Sequence, residues 1–299
     1  MQEMELESYN TKITEFHNPI TGEIYREVSR KETGNVRVKK GFKLSEEEKE
    51  RRRNAVADLS AEAQEERTKA QSYAIRRKVR GYMLTNAWHY FVTLTIDPKK
   101  INSFDYDVAK KRLLTWCSSQ RRKKGAFNYL FIPEMHKSGA VHFHGVIGGN
   151  DQIGFTPAIN HKTKKPMIRN GRQVYNLKSW EKIGFSDCEK IENLEATSTY
   201  ITKYITKDLL SDPKMYKQKR YFTSRGLNAP SVEFTTTNAE DFKDYSKSYA
   251  VIDTDENGKN FVDIAIYKQT VDVETGEIKD SCRDTFYKFK NKDIDIGII

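Results

Sequence analysis

Two histidines separated by one residue, His142 and His144, lie in the mostly apolar segment from residue 140 to 147. Successive side chains of a β-strand point to opposite faces, so residues two apart share a face. The two imidazoles therefore converge, while Val141 and Phe143 point toward the core. Such a pair is half of a metal site, although two histidines on a strand are by themselves more often structural.

The turn before this strand decides whether a third ligand joins the histidines. If residues 137–139 form a three-residue loop with the glycine in the left-handed region, Glu134 lies directly opposite His142. A two-residue loop would place Glu134 on the other face. Two imidazoles and a carboxylate suit Mg²⁺ or Mn²⁺ and leave positions for substrate oxygens. We therefore expect Glu134, His142 and His144 to be metal ligands, with His136 in reserve.

Two tyrosines and two lysines alternate about sixty residues later, at Tyr200, Lys203, Tyr204 and Lys207. A helix predicted from about 195 to 210 would place the tyrosines on one face, because positions i and i+4 differ by about 40°. A tyrosine, with a free pKa near 10, needs a polarised phosphate or nearby ammonium groups to act as a nucleophile. Paired tyrosines on a helix are usually core residues. Together with the histidine pair they favour catalysis, with the two lysines assisting.

A mixed α+β domain with a central antiparallel sheet and helices on one face is predicted around these residues. Val92, Leu94 and Ile96 are expected to face its core, opposite Thr93 and Thr95. The predicted elements are a strand at 88–96, a helix at about 106–122, a hairpin of 127–136 and 140–147, a strand near 184–190, and the tyrosine helix.

Four regions are expected along the chain: a polar arm (1–44), a charged helical region (45–86), the histidine–tyrosine domain (87–235) and a small β-rich appendage (236–299). A mobile arm with little core is expected at the start because that segment is polar. Ser45 and Glu48 match a capping box that opens one long helical stretch to about residue 84. Asn257-Gly258 and Thr275-Gly276 predict turns in the appendage.

Composition favours a polyanionic partner. The chain has 299 residues, with 52 Lys and Arg against 42 Asp and Glu, a net charge of +10 and a pI near 9.2. Three scattered cysteines indicate a reducing compartment, so a cytoplasmic location is expected. An acidic start and the lack of a long apolar run predict neither a signal peptide nor a membrane span.

Basic clusters are the expected DNA contacts. They are charged positions able to displace counterions from phosphates. The residues predicted to bind DNA are Arg121, Arg122, Lys123, Lys124, Lys162, Lys164, Lys165, Arg220 and Arg225. A basic end of the long helical stretch, residues 76–80, is either a solvated surface or a DNA-gripping helix.

The chain resembles the HUH endonucleases, specifically the paired-tyrosine initiators of rolling-circle replication in small phages and plasmids. Residues 91–95 (FVTLT) look like their first motif, Glu134 through the sequence His-Phe-His-Gly like the second, and residues 200–207 (YITKYITK) like the third. The likeness covers about 88–227. Residues 220–227 are similar to a further segment of phage and plasmid initiators.

The resemblance implies a transesterification in single-stranded origin DNA. A tyrosine would attack the scissile phosphate, remain joined to the 5′ phosphate and free a 3′ hydroxyl for a host polymerase. A second tyrosine would let one site cut again and rejoin, with Lys203 holding phosphate. No Gly-x-x-x-x-Gly-Lys-Ser/Thr sequence occurs, so a host helicase is the expected partner.

Other functions remain compatible with the sequence. A paired-tyrosine transposase or a plasmid relaxase would use the same chemistry. A non-catalytic basic nucleic-acid-binding protein would use its aromatic residues for base stacking instead.

Overall fold

The chain divides into two compact units, one made from both ends and one from the middle. The computed structural model describes residues 5–38, 45–57, 59–160, 162–206, 209–210, 218–281, 285–290 and 295–296. The first unit combines Met1–Leu59 with Ala229–Ile299, and the second is Ser60–Asn228. Elements are numbered in chain order across both units.

The first unit is built on one sheet with the strand order β12-β1-β2-β14-β13-β16-β17, and β15 pairs with β14. The turns expected at 257–258 and 275–276 are confirmed, because β13 and β15 each pair antiparallel with β14. The elements are β1 (Leu6–His17), β2 (Ile24–Val38), α1 (Glu46–Ala57), β12 (Ser231–Thr235), β13 (Lys247–Thr254), β14 (Asn260–Val271), β15 (Ile278–Asp280), β16 (Phe286–Phe289) and β17 (Asp295–Ile296).

The N-terminal segment is not the mobile polar arm that its composition predicts. β1 pairs with β2 and β12, and β2 pairs with β14 so that Val28 lies opposite Tyr267. Both side chains are buried, at 1% and 3% exposure. The strands that stabilise this segment come from the other end of the chain, so its own sequence does not reveal its partners.

The second unit holds the histidine–tyrosine region. Within its described residues, seven strands form one antiparallel sheet in the order β11-β4-β5-β3-β10-β9-β6, and β7 pairs with β8 separately. The elements are α2 (Ala61–Leu84), β3 (Tyr90–Ile96), α3 (Tyr106–Lys124), β4 (Asn128–Met135), β5 (Val141–Gly148), β6 (Phe155–Pro157), β7 (Ile168–Arg169), β8 (Arg172–Gln173), β9 (Tyr175–Leu177), β10 (Gly184–Lys190), α4 (Leu194–Thr202) and β11 (Phe222–Thr223).

The predicted long helical stretch is two helices. α1 ends at Ala57 and α2 begins at Ala61, where the Ser60 side chain accepts a hydrogen bond from the Ala63 amide at 3.3 Å. A serine in this capping position satisfies an amide that the first helical turn leaves unpaired. In the part of the chain that is described, none of the helices combines the length and apolar character needed to cross a bilayer.

The α+β class is confirmed, but helices lie on both faces of the sheet of the second unit. On the face away from the histidines, Trp116 of α3 packs against Phe131 with ring centroids 6.5 Å apart. On the histidine face, Tyr204, just beyond α4, stacks on His144. The expected arrangement with every helix opposite the site is therefore wrong. The side chains of Ile132 and Val146 on the histidine face need this cover because they are fully buried.

A glycine beside the second histidine permits close packing of the strands. A Cβ atom at Gly145 would collide with the Leu130 carbonyl oxygen and the Phe131 ring. The backbone approaches its neighbours most closely at the point where β5 carries His144, and a larger residue would have to displace that strand.

Candidate active site

The hairpin between β4 and β5 has the register that the sequence predicts. The His136 amide donates to the Ala140 carbonyl at 2.9 Å, and Gly139 has a φ of 86°. This left-handed value is easily adopted only by glycine. As a result Glu134 lies directly opposite His142, and the prediction of a three-residue loop is confirmed.

Two threonines on β3 orient the histidines. Thr93 pairs with His144 and Thr95 with His142, so all four side chains share one face. The Thr93 Oγ1 atom lies 3.1 Å from Nδ1 of His144, and the Thr95 Oγ1 atom lies 3.4 Å from Nδ1 of His142. The sequence shows these threonines alternating with buried residues, but not that β3 pairs with β5. Each bond engages Nδ1 and leaves Nε2 as the outward nitrogen.

Glu134 is bonded to one of the histidines. Its Oε2 atom lies 2.6 Å from Nε2 of His144, while the ring of His142 stacks on His136 with centroids 5.1 Å apart. Since Nδ1 of His144 faces the Thr93 hydroxyl, Nε2 carries the proton and donates to the carboxylate. Among the described residues, no three His, Cys, Asp or Glu side chains are gathered closely enough to hold a metal ion as they stand.

Burial keeps both imidazoles neutral. It lowers the pKa of His142, and the neighbouring His136 and His144 lower it further. Burial also lowers the pKa of His144, and Glu134 offsets part of that effect because a carboxylate favours the charged ring. A neutral imidazole is the form that binds a metal ion or accepts a proton.

α4 is shorter than the predicted tyrosine helix, which was expected to reach residue 210. Asn193 caps its start, where the side chain accepts from the Ala196 amide at 2.8 Å. The helix ends at Thr202, and the amides of residues 203–205 then bond to carbonyls three residues back. The run of β-branched residues, Ile201 and Thr202 among them, favours helix poorly, which fits the early end.

The tightened turn brings the two tyrosine hydroxyls together. The Tyr204 hydroxyl donates to that of Tyr200 at 3.0 Å. The turn is held from α2, where the Arg76 side chain donates twice to the Ile205 carbonyl, at 2.7 and 2.9 Å. The sequence pairs the tyrosines correctly, but neither the tight turn nor the role of Arg76 is visible in it.

Tyr204 lies directly on the histidine pair. Its ring is parallel to that of His144 within 6°, with centroids 3.7 Å apart. Burial, followed by the bond to Tyr200 and the charge of Glu134, raises the pKa of Tyr204 well above its usual value. A phenolate at this position therefore needs added positive charge. Lys203 is exposed and lies 5.2 Å from the Tyr200 ring, whereas Lys207 lies outside the described residues.

Two clefts meet at Tyr200. One, of about 390 Å³, is lined by Glu134, Lys203 and both tyrosines. The other, of about 580 Å³, extends over Phe91 to the loop that carries Arg169. A chain of nucleotides entering either cleft would pass the tyrosine hydroxyls, because Tyr200 lines both.

The basic residues expected to bind DNA lie elsewhere. None of them lines the two clefts at Tyr200, as far as the structure describes the lining. The α3 cluster, 121–124, ends that helix, and the loop lysines 162, 164 and 165 are exposed. Arg225 is exposed in a turn, while Arg220 donates to the carbonyls of Leu209 and Leu210 at 3.1 Å each. Those bonds give Arg220 a structural role.

The same region of the chain is similar to a known family. Residues 89–209, somewhat less than half of the chain, match a family model described as a replication-associated protein, ORF2. The match supports a replication initiator family. It spans the histidine hairpin and both tyrosines, and it supports a role in the initiation of DNA replication. No curated protein and no solved structure matches the chain.

The histidine environment predicts a titration that differs between wild type and a variant. In the metal-free protein, both site histidines should titrate below the ordinary value near 6.5 because burial disfavours their charged forms. Glu134→Gln should lower the pKa of His144 further, since it removes the charge that favours the protonated ring. Nitrogen-detected NMR titration would measure both. An unchanged or raised pKa of His144 in the variant would contradict the Glu134–His144 pairing.

Proposed function

We propose that this protein initiates replication by nicking origin DNA through tyrosine transesterification. The observation that carries the proposal is the placement of two tyrosine hydroxyls, 3.0 Å apart, above an oriented histidine pair and a carboxylate. Structural tyrosines need no such neighbours. The similarity of residues 89–209 to a replication-associated family supports the substrate class, which is DNA.

The proposed reaction exchanges one phosphodiester for another. The phenolic oxygen forms a bond to phosphorus as the bond from phosphorus to the 3′ oxygen breaks. The proton that the tyrosine loses ends on the released 3′ oxygen, so the net charge is unchanged. The protein stays joined to the 5′ phosphate, and the free 3′ hydroxyl can be extended by a host polymerase after a host helicase opens the duplex.

Tyr204 is the proposed first nucleophile because its ring lies on His144. Its hydroxyl proton already points to Tyr200, which gives the proton a first acceptor. Tyr200, which is 46% exposed, would perform the second cut and the rejoining. Lys203 would hold the phosphate, since its ammonium group lies beside the Tyr200 ring.

The donor set fits a divalent metal ion. Glu134, His142 and His144 share one face, and the threonines engage Nδ1 of both rings, which leaves Nε2 for a metal. A bound Mg²⁺ or Mn²⁺ would act as a Lewis acid on the scissile phosphate and supply the positive charge that the buried Tyr204 needs. Binding would require the Glu134–His144 hydrogen bond to open.

The metal proposal predicts different effects of two substitutions in the same hairpin. Glu134→Ala should weaken Mn²⁺ binding by at least about tenfold, because it removes a ligand and a negative charge together. His136→Ala is the matched control and should change the affinity less, since His136 is exposed near the loop. Isothermal titration with Mn²⁺ would measure both variants. A larger loss in His136→Ala, or no binding by wild type, would contradict the ligand set.

The tyrosine proposal predicts redundancy between the two hydroxyls. Each of Tyr200→Phe and Tyr204→Phe should leave some nicking, because the other hydroxyl lies 3.0 Å away. The double variant should leave none, since phenylalanine keeps the packing and removes both nucleophiles. Covalent protein–DNA bands from labelled origin oligonucleotides on a denaturing gel would measure this with Mn²⁺ present.

An exposed tyrosine elsewhere gives the control for that experiment. Tyr73 of α2 is 56% exposed and lines neither cleft at Tyr200, so Tyr73→Phe should form the covalent band as wild type does. A band that persists in the double variant would show that the nucleophile is another residue. No band from wild type across varied origin sequences would leave a non-catalytic DNA-binding protein.

A further inference from the structure

A third cleft of the second unit, of about 630 Å³, lies between α2, α3 and the edge strand β11. We name it the lysine cleft. Its described lining includes Lys78 and Tyr82 of α2, Lys110 of α3, and Lys219 and Tyr221 before β11. Neither nicking tyrosine lines it, so the proposed reaction gives it no role.

The lysine cleft has an excess of positive charge. Three lysines and Arg220 line it, and none of the described lining residues is acidic. Asp107 approaches from outside the lining and bonds to Lys110 at 2.5 Å, which compensates one of the four cations. The cleft at Phe91 is different, because Arg169 there bonds to both Asp187 and Glu189. Only a strongly anionic ligand offsets the remaining charge of the lysine cleft.

Two aromatic rings lie among these charges. Tyr82 and Tyr221 are half-buried, with ring centroids 6.4 Å apart and planes inclined by 54°. Lys78 is hydrogen-bonded to the Tyr221 side chain, which raises the pKa of the lysine and keeps it charged. Aromatic rings interleaved with lysines are the composition that holds single-stranded nucleic acid, where phosphates meet ammonium groups and bases stack on rings.

The lysine cleft adjoins the cleft of the nicking tyrosines. Leu209 lines the tyrosine cleft, and its carbonyl accepts a hydrogen bond from Arg220, which lines the lysine cleft. β11 also pairs with β4, the strand that carries Glu134. One strand of nucleic acid could therefore occupy both clefts.

We infer that the lysine cleft binds single-stranded DNA as a second site, through Lys78, Lys219 and stacking on Tyr221. Its charge and its rings are the basis of this assignment, and binding there does not require the nicking reaction. During nicking it would hold the stretch that flanks the scissile phosphate. Polar and charged groups at this distance from the reacting atoms bind and orient, and take no part in bond cleavage.

The test is the salt dependence of oligonucleotide binding by charge-matched variants. The double variant Lys78→Gln with Lys219→Gln should bind labelled oligo-dT more weakly. Its slope of log affinity against log salt should be shallower by about 1.4, at about 0.7 for each lost phosphate contact. Lys69→Gln with Lys111→Gln changes exposed lysines of the same two helices outside the cleft, and should leave the slope unchanged. Fluorescence anisotropy would measure both.

Stacking is tested separately at Tyr221. Tyr221→Ala should weaken oligo-dT binding by about tenfold, and Tyr221→Phe, which keeps the ring, should bind nearly as wild type. A duplex of equal length should be much less sensitive to Tyr221→Ala, because its bases are already paired. Circular dichroism of each variant would establish that it is folded.

Several outcomes would overturn the assignment. Equal slopes for the two double variants would place the phosphate contacts outside the lysine cleft. Equal sensitivity of duplex and single strand would contradict stacking, and competition by poly-glutamate as effective as oligo-dT would indicate an acidic protein partner. The same differences should appear in the Tyr200→Phe and Tyr204→Phe double variant, so failure of the nicking proposal and failure of this one are distinguishable.

Discussion

The antiparallel pairing of β3, β5 and β4 is the constraint on which the site depends. Because side chains alternate along each strand, this register alone puts Glu134, His142 and Thr95 in one row and His144 with Thr93 in the next. A slip by one residue would exchange the histidines for buried apolar side chains. The loop glycine at 139 and the close packing at Gly145 both hold that register.

Much of this part of the fold follows from short-range patterns. Alternation in β3 and β5 predicts their faces, and Gly139 predicts the loop that sets Glu134 opposite His142. The position of Tyr204 does not follow, because it depends on a tight turn beyond α4 that Arg76 of a separate helix stabilises. The strands β1 and β2 also escape prediction, since their partners lie about 200 or more residues away in the chain.

Burial works against the nucleophile as much as it positions it. The stacking of Tyr204 on His144 fixes the ring, but it also raises the pKa of the phenol. A site that needs a phenolate must therefore bring a compensating charge, and the histidine–carboxylate group is where a cation would supply it. The same burial keeps the histidines neutral, which is the form a cation requires.

The central claim is that a tyrosine above the histidine pair becomes joined to DNA, and peptide mapping tests it most directly. The protein would be incubated with an origin oligonucleotide and Mn²⁺, then digested with protease and nuclease for mass spectrometry. The account predicts a nucleotide on Tyr204 or Tyr200, joined through its 5′ phosphate. An adduct on any other residue, or through a 3′ phosphate, would contradict it.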